Sequence, residues 1–186
     1  MARIPPVARE AMPAELQDLL ATRPPYTIYG ILANAPTVLP GFVQMAGALL
    51  TRTELDPQLR EMVILRVGAH CESAYELHQH LRLARHVGVS EARIRLATDL
   101  GTPLAADGGA DEVLLAFTDS VVRSVKAPVE QFEAALALLS PRGMTELLLT
   151  IGTYMMVSRV LENLEVEIEA DGVDITSRRY YPEAPK

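Results

Sequence analysis

Residues 61–80 hold most of the side chains in this chain that could do chemistry. The stretch reads EMVILRVGAHCESAYELHQH and combines an apolar run with these groups: Glu61, Cys71, Ser73, Tyr75, Glu76 and His80. Carboxylate, phenol, hydroxyl and imidazole groups in one place are what proton transfer to and from a small molecule requires. Because the ordinary pKa of histidine lies closest to neutral pH, we predict an acid–base site with His80 as the proton carrier.

Glu76 precedes His80 by one helical turn, so the two side chains are expected on the same face of a helix. A carboxylate beside an imidazole stabilises the imidazolium and fixes the ring orientation. We therefore predict that Glu76 orients His80. Because Glu76 would lie in the first turn of its helix, the helix dipole is expected to favour its ionised form.

Glu61 lies in an apolar helical segment, followed directly by Met62 and Val63. A carboxylate in a buried helix must be paired, protonated or used. One interpretation is a structural ion pair with an arginine from another helix, such as Arg159. The other is a second acid or base in a drier environment. In that case Glu61 should approach His80 within direct or one-water reach and line the same cavity.

Ser73 and Glu76 also have the spacing of a capping box, in which the two side chains bond each other's backbone amides at a helix start. That structural role and a catalytic role can coexist. Tyr75 could donate its phenol hydrogen to an oxyanion or pack against another subunit, and Ser73 is a second candidate for the oxyanion. Cys71 lies just before the helix, where a thiol pKa can fall, yet a lone buried cysteine most often acts as a small hydrophobe.

Composition excludes several classes of function. The net charge of −7 argues against nucleic acid as a partner, because phosphate binding needs a basic face. A single cysteine excludes an internal disulfide and fits a reducing compartment. With no signal-peptide pattern and no apolar run long enough to span a bilayer, the sequence predicts a cytoplasmic protein without membrane contact. No zinc-type ligand spacing and no glycine-rich phosphate loop is found, so neither a metal nor an organic cofactor is predicted.

The chain is predicted to be all-α. Helix starts are indicated by Pro13, by Asp56 before Pro57, by Ser90 and by Ser140 before Pro141, and a helix end by Gly88. The last helix is expected to extend as far as Glu169, and residues 101–110 form the clearest loop. We expect one domain over residues 1–186, with its core at about 26–169, an irregular N-terminal arm over 1–12 and a C-terminal tail over 170–186.

Three segments resemble the carboxymuconolactone decarboxylase and alkylhydroperoxidase D-like superfamily. The first is LDPQLREMVILRVGAHCESAYELHQHLRLARHVGVSEARI, and the others are YGILANAPTVLPGFVQMAGALL before it and ELLLTIGTYMMVSRVLENLEVEIE after it. The resemblance implies an alkylhydroperoxidase D-like helical bundle. It also implies a homo-oligomer, as a dimer, trimer or hexamer, with the site near the subunit contacts.

The chain departs from the thiol branch of that superfamily. There, a Glu is followed twelve residues later by a Cys-x-x-Cys pair, and a His lies four residues after the second Cys. The same positions here hold Glu61, Ser73, Glu76 and His80, so both cysteines of the pair are missing. Cys71 lies two residues before the first of them. The chain therefore resembles the decarboxylase-like side, whose signature often reads Ser-x-Tyr-Glu before the His.

The resemblance implies a carboxymuconolactone decarboxylase-like lyase that acts on a small carboxylated or lactone-type molecule. Such an enzyme would move a proton next to a carbonyl, with or without loss of carbon dioxide. The candidate substrate-binding residues are Arg66, Tyr154 and Arg159. Two alternatives stay open: peroxidase or redox-sensing activity through Cys71 with an outside thiol, and a non-catalytic oligomer that only binds small molecules.

Overall fold

The computed structural model describes residues 1–105 and 108–169, and all the regular structure in them is helical. A 3₁₀ turn at Arg9–Ala11 precedes the α-helices, which we number in chain order: α1 Ala14–Leu20, α2 Thr27–Leu32, α3 Leu39–Thr51, α4 Pro57–His70, α5 Ala74–His86, α6 Glu91–Thr98, α7 Ala110–Ser124, α8 Val129–Leu138 and α9 Pro141–Leu164. The all-α prediction is confirmed over these ranges. The predicted tail, residues 170–186, lies outside them.

Helix α4 is the centre of the fold. It packs against α5, α6, α7 and α9 and is buried continuously from Leu59 to Gly68. This burial follows from a sequence that is apolar on nearly every face of the helix. Because no face of α4 reaches solvent over this length, its charged residues Arg60, Glu61 and Arg66 must find their partners inside the protein.

Three of the four predicted helix starts have a side-chain cap, and the start of α1 at Pro13 has none. Asp56 accepts hydrogen bonds from the amides of Gln58 and Leu59 at the start of α4. Ser90 caps α6 and Ser140 caps α9 in the same way. Gly88 follows α5 with a φ of 88°, a backbone conformation that glycine adopts without a steric penalty.

Two predictions about the backbone are wrong. Ser73 occupies the N-cap position of α5, but its hydroxyl makes no capping hydrogen bond and is completely buried. The capping box does not form, because the Glu76 side chain turns toward His80 instead. Helix α9 ends at Leu164, not at Glu169, because Glu165 adopts a left-handed conformation with a φ of 50°.

Both ends of the described chain are held on the bundle. In the N-terminal segment, the Arg3 amide donates to the Leu164 carbonyl and the Val7 amide donates to the Gly30 carbonyl. After α9, Val166 packs against the apolar group that contains Tyr75. The segment that follows α9 thereby lies beside the start of α5.

No single helix in the described ranges is long and apolar enough to cross a bilayer, and α8 with α9 meets that test only as a pair bent by 118°.

Candidate functional site

A cavity of about 70 Å³ lies between α2, α3, α5 and α9. Its wall is mostly apolar and aromatic on three sides, formed by Tyr26, Ile28, Tyr29, Phe42, Ala46, Leu50, Leu83 and Val157. Its polar groups are Tyr75, Glu76, Gln79, His80, Thr153 and Tyr154. A small apolar pocket with a few convergent polar groups is the usual form of a small-molecule site.

Helix α5 supplies four of these polar groups, Tyr75, Glu76, Gln79 and His80. They form two pairs of neighbours separated by one helical turn, so all four project from one face of α5. Each of the four side chains is buried. The helix period therefore concentrates the cavity's ionisable and hydrogen-bonding groups on one wall.

His80 lies between two carboxylates. Its Nδ1 is 2.7 Å from Glu61 Oε2 on α4, and its Nε2 is 3.5 Å from Glu76 Oε2 on its own helix. Because a carboxylate oxygen only accepts hydrogen bonds, Nδ1 donates to Glu61 and the ring is held in one orientation. Nε2 faces Glu76, and both His80 and Glu76 line the cavity.

The environment favours a charged His80. Burial alone would lower the pKa of His80, but the charge of Glu61, its hydrogen bond and the charge of Glu76 outweigh burial and Arg60, so the pKa is raised above its ordinary value. The pKa of Glu76 differs from that of an ordinary surface carboxylate, because it lies well above the usual value. Burial, opposed by the charge of His80, raises the pKa of Glu76 to about 7.

The expectation that Glu76 is held ionised by the helix dipole is therefore contradicted. Glu76 lies in the first turn of α5, where the dipole favours a negative charge by about 0.3–1 kcal/mol. Loss of water around a buried carboxylate costs more than that, and its effect dominates. Glu76 thus changes protonation state near neutral pH, a property that suits a group that exchanges protons.

Glu61 lies behind His80 and does not itself line the cavity. Its carboxylate is in direct reach of His80, as predicted, and Arg60 Nε approaches it at 3.4 Å. Arg159 does not pair with it, because the Arg159 guanidinium is exposed and donates to the Met155 carbonyl. The orienting contact with His80 is therefore made by Glu61, the role that sequence reasoning gave to Glu76.

A second polar group adjoins the same wall. The Tyr75 hydroxyl donates to Glu169 Oε1, and the Gln79 side-chain amide donates to Glu169 Oε2. The Thr27 backbone amide also donates to Glu169 Oε1. Burial and the Glu169 carboxylate raise the pKa of Tyr75 above its ordinary value, so the phenol keeps its hydrogen at neutral pH. Tyr75 is a hydrogen-bond donor here and not a proton-transfer group.

The three predicted substrate-binding residues lie in different places. Tyr154 lines the cavity, and its ring meets the His80 ring edge-on with centroids 4.9 Å apart. Arg159 and Arg66 are not among the lining residues. Arg66 lies on another side of α4, where its guanidinium holds Asp119 through two bonds of 2.6 and 2.7 Å.

Ser73 and Cys71 are also outside the cavity lining. Ser73 Oγ is buried with no hydrogen-bond partner among the residues that the structure describes. Cys71 is the C-cap of α4, partly buried and packed against the main apolar cluster. A thiol packed in this way resembles a small hydrophobe more than a nucleophile.

Sequence reasoning missed Gln79 and Glu169. Gln79 could have been found, because it follows Tyr75 by one helical turn and shares its face. Glu169 could not, because no local pattern indicates that the end of α9 turns back toward α5. In the described ranges, no group of three or more His, Cys, Asp or Glu side chains is arranged to hold a metal ion.

Comparison with known proteins agrees with the resemblance seen in the sequence. Residues 36–119 match the model of the carboxymuconolactone decarboxylase family. The matched range includes α4 and α5, and therefore Glu61, Glu76 and His80. A comparison with curated protein sequences gives no match.

Solved structures with the same fold include one that is described as an alkylhydroperoxidase core. An uncharacterized peroxidase-related protein from Ralstonia eutropha, described as an alkylhydroperoxidase AhpD core, has a TM-score of 0.77 at 16% identity, over 90% of this chain and 92% of that one. A peroxidase-related protein from Silicibacter sp. has a TM-score of 0.69 at 17% identity, over 82% and 81%. The debrominase Bmp8 has a TM-score of 0.73 at 16% identity, over 90% and 92%. At these identities the similarity establishes the fold alone.

Proposed function

We propose that this chain, whose residues 36–119 match the model of the carboxymuconolactone decarboxylase family, is an acid–base enzyme acting on a small carboxylated or lactone-type molecule. The observation that carries the proposal is the buried Glu61–His80–Glu76 array at the cavity wall. Pairs of titratable groups with strongly shifted pKa values in a cavity are typical of acid–base sites.

Each member of the array has a distinct role in this proposal. Glu61 holds the His80 ring through Nδ1 and stabilises its positive charge. Glu76, with its pKa of about 7, takes a proton from a carbon next to a carbonyl of the substrate. The electrons of the broken C–H bond move onto the carbonyl oxygen, and the charged His80 stabilises the resulting enolate.

The same groups can complete either of two reactions. If Glu76 returns its proton to another carbon of the enolate, the product is an isomer of the substrate. If the substrate carries a carboxylate β to the carbonyl, the C–C bond to that carboxylate breaks, carbon dioxide leaves and the electrons again form an enolate. The protonated form of Glu76 then gives its hydrogen to the carbon. Glu76 acts first as base and then as acid in the isomerisation, and as acid alone in the decarboxylation.

A proton-exchange experiment tests this proposal. The purified protein is incubated in D₂O with small carboxylated lactones, starting with carboxymuconolactone, and with β-keto acids. NMR follows deuterium entry next to the carbonyl and the formation of any decarboxylated product. We expect catalysed exchange or decarboxylation, and we expect His80→Ala and Glu76→Gln each to lower its rate by roughly 10²–10⁴-fold.

The control is Thr153→Val. Thr153 is a polar residue of the cavity wall that is not part of the Glu61–His80–Glu76 array. This variant should retain exchange within about an order of magnitude, a change far smaller than the loss expected for a positioned proton carrier. Exchange that persists unchanged in His80→Ala and Glu76→Gln would refute the proposal. We propose no redox function for Cys71, because its side chain does not line the described cavity.

We also propose that the chain binds other copies of itself. Helix α9 exposes an apolar stripe formed by Leu149, Gly152 and Met156, and α3, which packs beside it, exposes Met45. A side chain built at Gly152 would meet no atom within 4 Å, so the surface is open at this point of the stripe. Surfaces of this kind on a helix are typical of subunit contacts.

A further inference from the structure

The carboxylate of Glu169 is bound by donors that do not belong to a salt bridge. Its two oxygens accept from the Tyr75 hydroxyl, the Gln79 amide and the Thr27 backbone amide. Tyr75 and Gln79 are only 4% and 5% exposed, so both donors are buried side chains and not surface groups. Buried donors of this kind need an acceptor, and here they converge on a single carboxylate.

The acceptor, Glu169, lies in the segment that follows α9. Other residues of this segment also contact the protein. Val166 packs against Ile28, Val157 and their neighbours, and Arg3 pairs with Glu165 at 2.7 Å. The segment after α9 therefore has contacts with the protein that do not involve Glu169. The Glu169 carboxylate accepts hydrogen bonds from all three donors, but it is not the only residue that attaches its segment to the rest of the described structure.

We infer that Tyr75, Gln79 and the Thr27 amide form a carboxylate-binding subsite beside the cavity, and that Glu169 is an internal occupant that the carboxylate of a ligand displaces. The three donors fit a carboxylate because they are neutral and directional, and they address both of its oxygens. A ligand that carries such a group would gain the same hydrogen bonds that Glu169 makes.

The position of the subsite relates it to the proton-transfer groups. Tyr75 and Gln79 each stand one residue before Glu76 and His80 on the same face of α5, and all four line the cavity. A ligand anchored by its carboxylate would therefore extend past Glu76 and His80. This consequence rests on the proposed function, whereas the carboxylate binding itself does not.

Titration calorimetry with sodium benzoate on the full chain tests the inference. Removing the internal competitor raises the fraction of protein that is ready to bind, so Glu169→Ala should bind benzoate roughly tenfold more tightly than the unaltered chain. Glu169→Gln should change affinity in the same direction by a smaller factor, because its amide offers one acceptor oxygen instead of two. Equal benzoate affinity in all three proteins would overturn the inference.

Two controls separate carboxylate recognition from simple uncovering of the cavity. Glu167→Ala removes an exposed carboxylate of the same segment, which among the described residues pairs with the N-terminal amine, and it should leave benzoate affinity unchanged. Benzamide, the neutral analogue of benzoate, should gain nothing in Glu169→Ala. If benzamide gains as much as benzoate, the side chain merely covers apolar surface and no carboxylate subsite exists.

Double variants assign the donors. Adding Tyr75→Phe or Gln79→Leu to Glu169→Ala should abolish most of the gain in benzoate affinity, and a gain that survives both substitutions would contradict the assignment. Thermal unfolding of each variant verifies that it is folded. Because binding is measured without turnover, a protein that gains benzoate affinity but catalyses no proton exchange would refute the proposed function and leave the subsite intact.

Discussion

The imidazole of His80 on α5 lies 2.7 Å from the carboxylate of Glu61 on α4, and both side chains are almost inaccessible to water. A pair of this kind costs desolvation free energy that its mutual attraction only partly offsets, so it contributes little to stability by itself. What it does provide is a fixed ring orientation and a raised pKa for His80. Glu76, on the other side of the ring, then meets a positive charge in a dry environment.

The first prediction concerns how the stability of the folded protein depends on pH. The folded protein holds a proton on Glu76 up to a pH of about 7, whereas the ordinary pKa is 4.5. The folded state therefore binds more protons in this window, and its stability must fall as the pH rises through it. Glu76→Gln should remove this loss. The variant should be more stable than the unaltered protein at about pH 8, by on the order of 3 kcal/mol at most.

Urea unfolding at about pH 5 and about pH 8 measures this difference. Glu133→Gln, a change at an exposed glutamate on α8, is the matched control and should leave the pH dependence as it was. A Glu76→Gln protein that is less stable at the higher pH would show that Glu76 is ionised at little cost in the folded state.

The second prediction concerns the ion pair of Arg66, which sequence reasoning assigned to substrate binding. Arg66 is 1% exposed and is held by Asp119 and by the carbonyls of Leu96 and Asp99. Asp119→Asn would leave a buried positive charge without its counter-ion, and we expect a loss of about 3 kcal/mol in the free energy of unfolding. Chemical denaturation measures this loss.

The control for Asp119→Asn is Glu91→Gln, which breaks the exposed pair with Arg85 and should change stability little. Proton exchange per folded molecule should be unaffected by Asp119→Asn. A large fall in catalytic rate without a loss of stability would support the assignment of Arg66 to substrate binding.

The third prediction concerns self-association. Met156→Arg places a charge on the apolar stripe of α9 and should shift the protein toward smaller species in sedimentation velocity at micromolar concentration. Glu133→Arg, at an exposed polar position of α8 outside the stripe, should leave the distribution unchanged. A chain that sediments only as a 20.3 kDa monomer would contradict the proposed assembly.

The fourth prediction concerns Cys71. A peroxidase that cycles a disulfide needs a second thiol to resolve the oxidised cysteine, and this chain has only one cysteine. We therefore expect no turnover of an alkyl hydroperoxide driven by a dithiol reductant. If turnover is observed, Cys71→Ser is the decisive variant, because activity lost only in that protein would establish the thiol function.

The sequence predicted best what depends on local pattern. The caps at Asp56, Ser90 and Ser140 and the burial of α4 follow from residue type and spacing, which act over a few residues. The approach of Glu61 to His80 was also predicted, because a carboxylate on a buried helix needs a polar partner and α5 offers one.

Sequence reasoning failed where long-range packing overrides local rules. The Ser73–Glu76 spacing fits a capping box, but the cavity draws Glu76 toward His80 and burial raises its pKa against the helix dipole. Arg66 looked like a residue for binding substrate, and only the position of α7 reveals its pairing with Asp119. The return of Glu169 to Tyr75 depends on the left-handed turn at Glu165, which no local signal indicates.

The most direct test is an NMR pH titration of the ring nitrogens of His80, in the unaltered chain and in Glu61→Gln. The contacts with Glu61 and Glu76 predict a His80 pKa above the ordinary value of 6.5, and a lower pKa once Glu61 has lost its charge. A His80 pKa at or below 6.5 in the unaltered chain, or a pKa that does not fall in Glu61→Gln, would contradict the central role given to this pair.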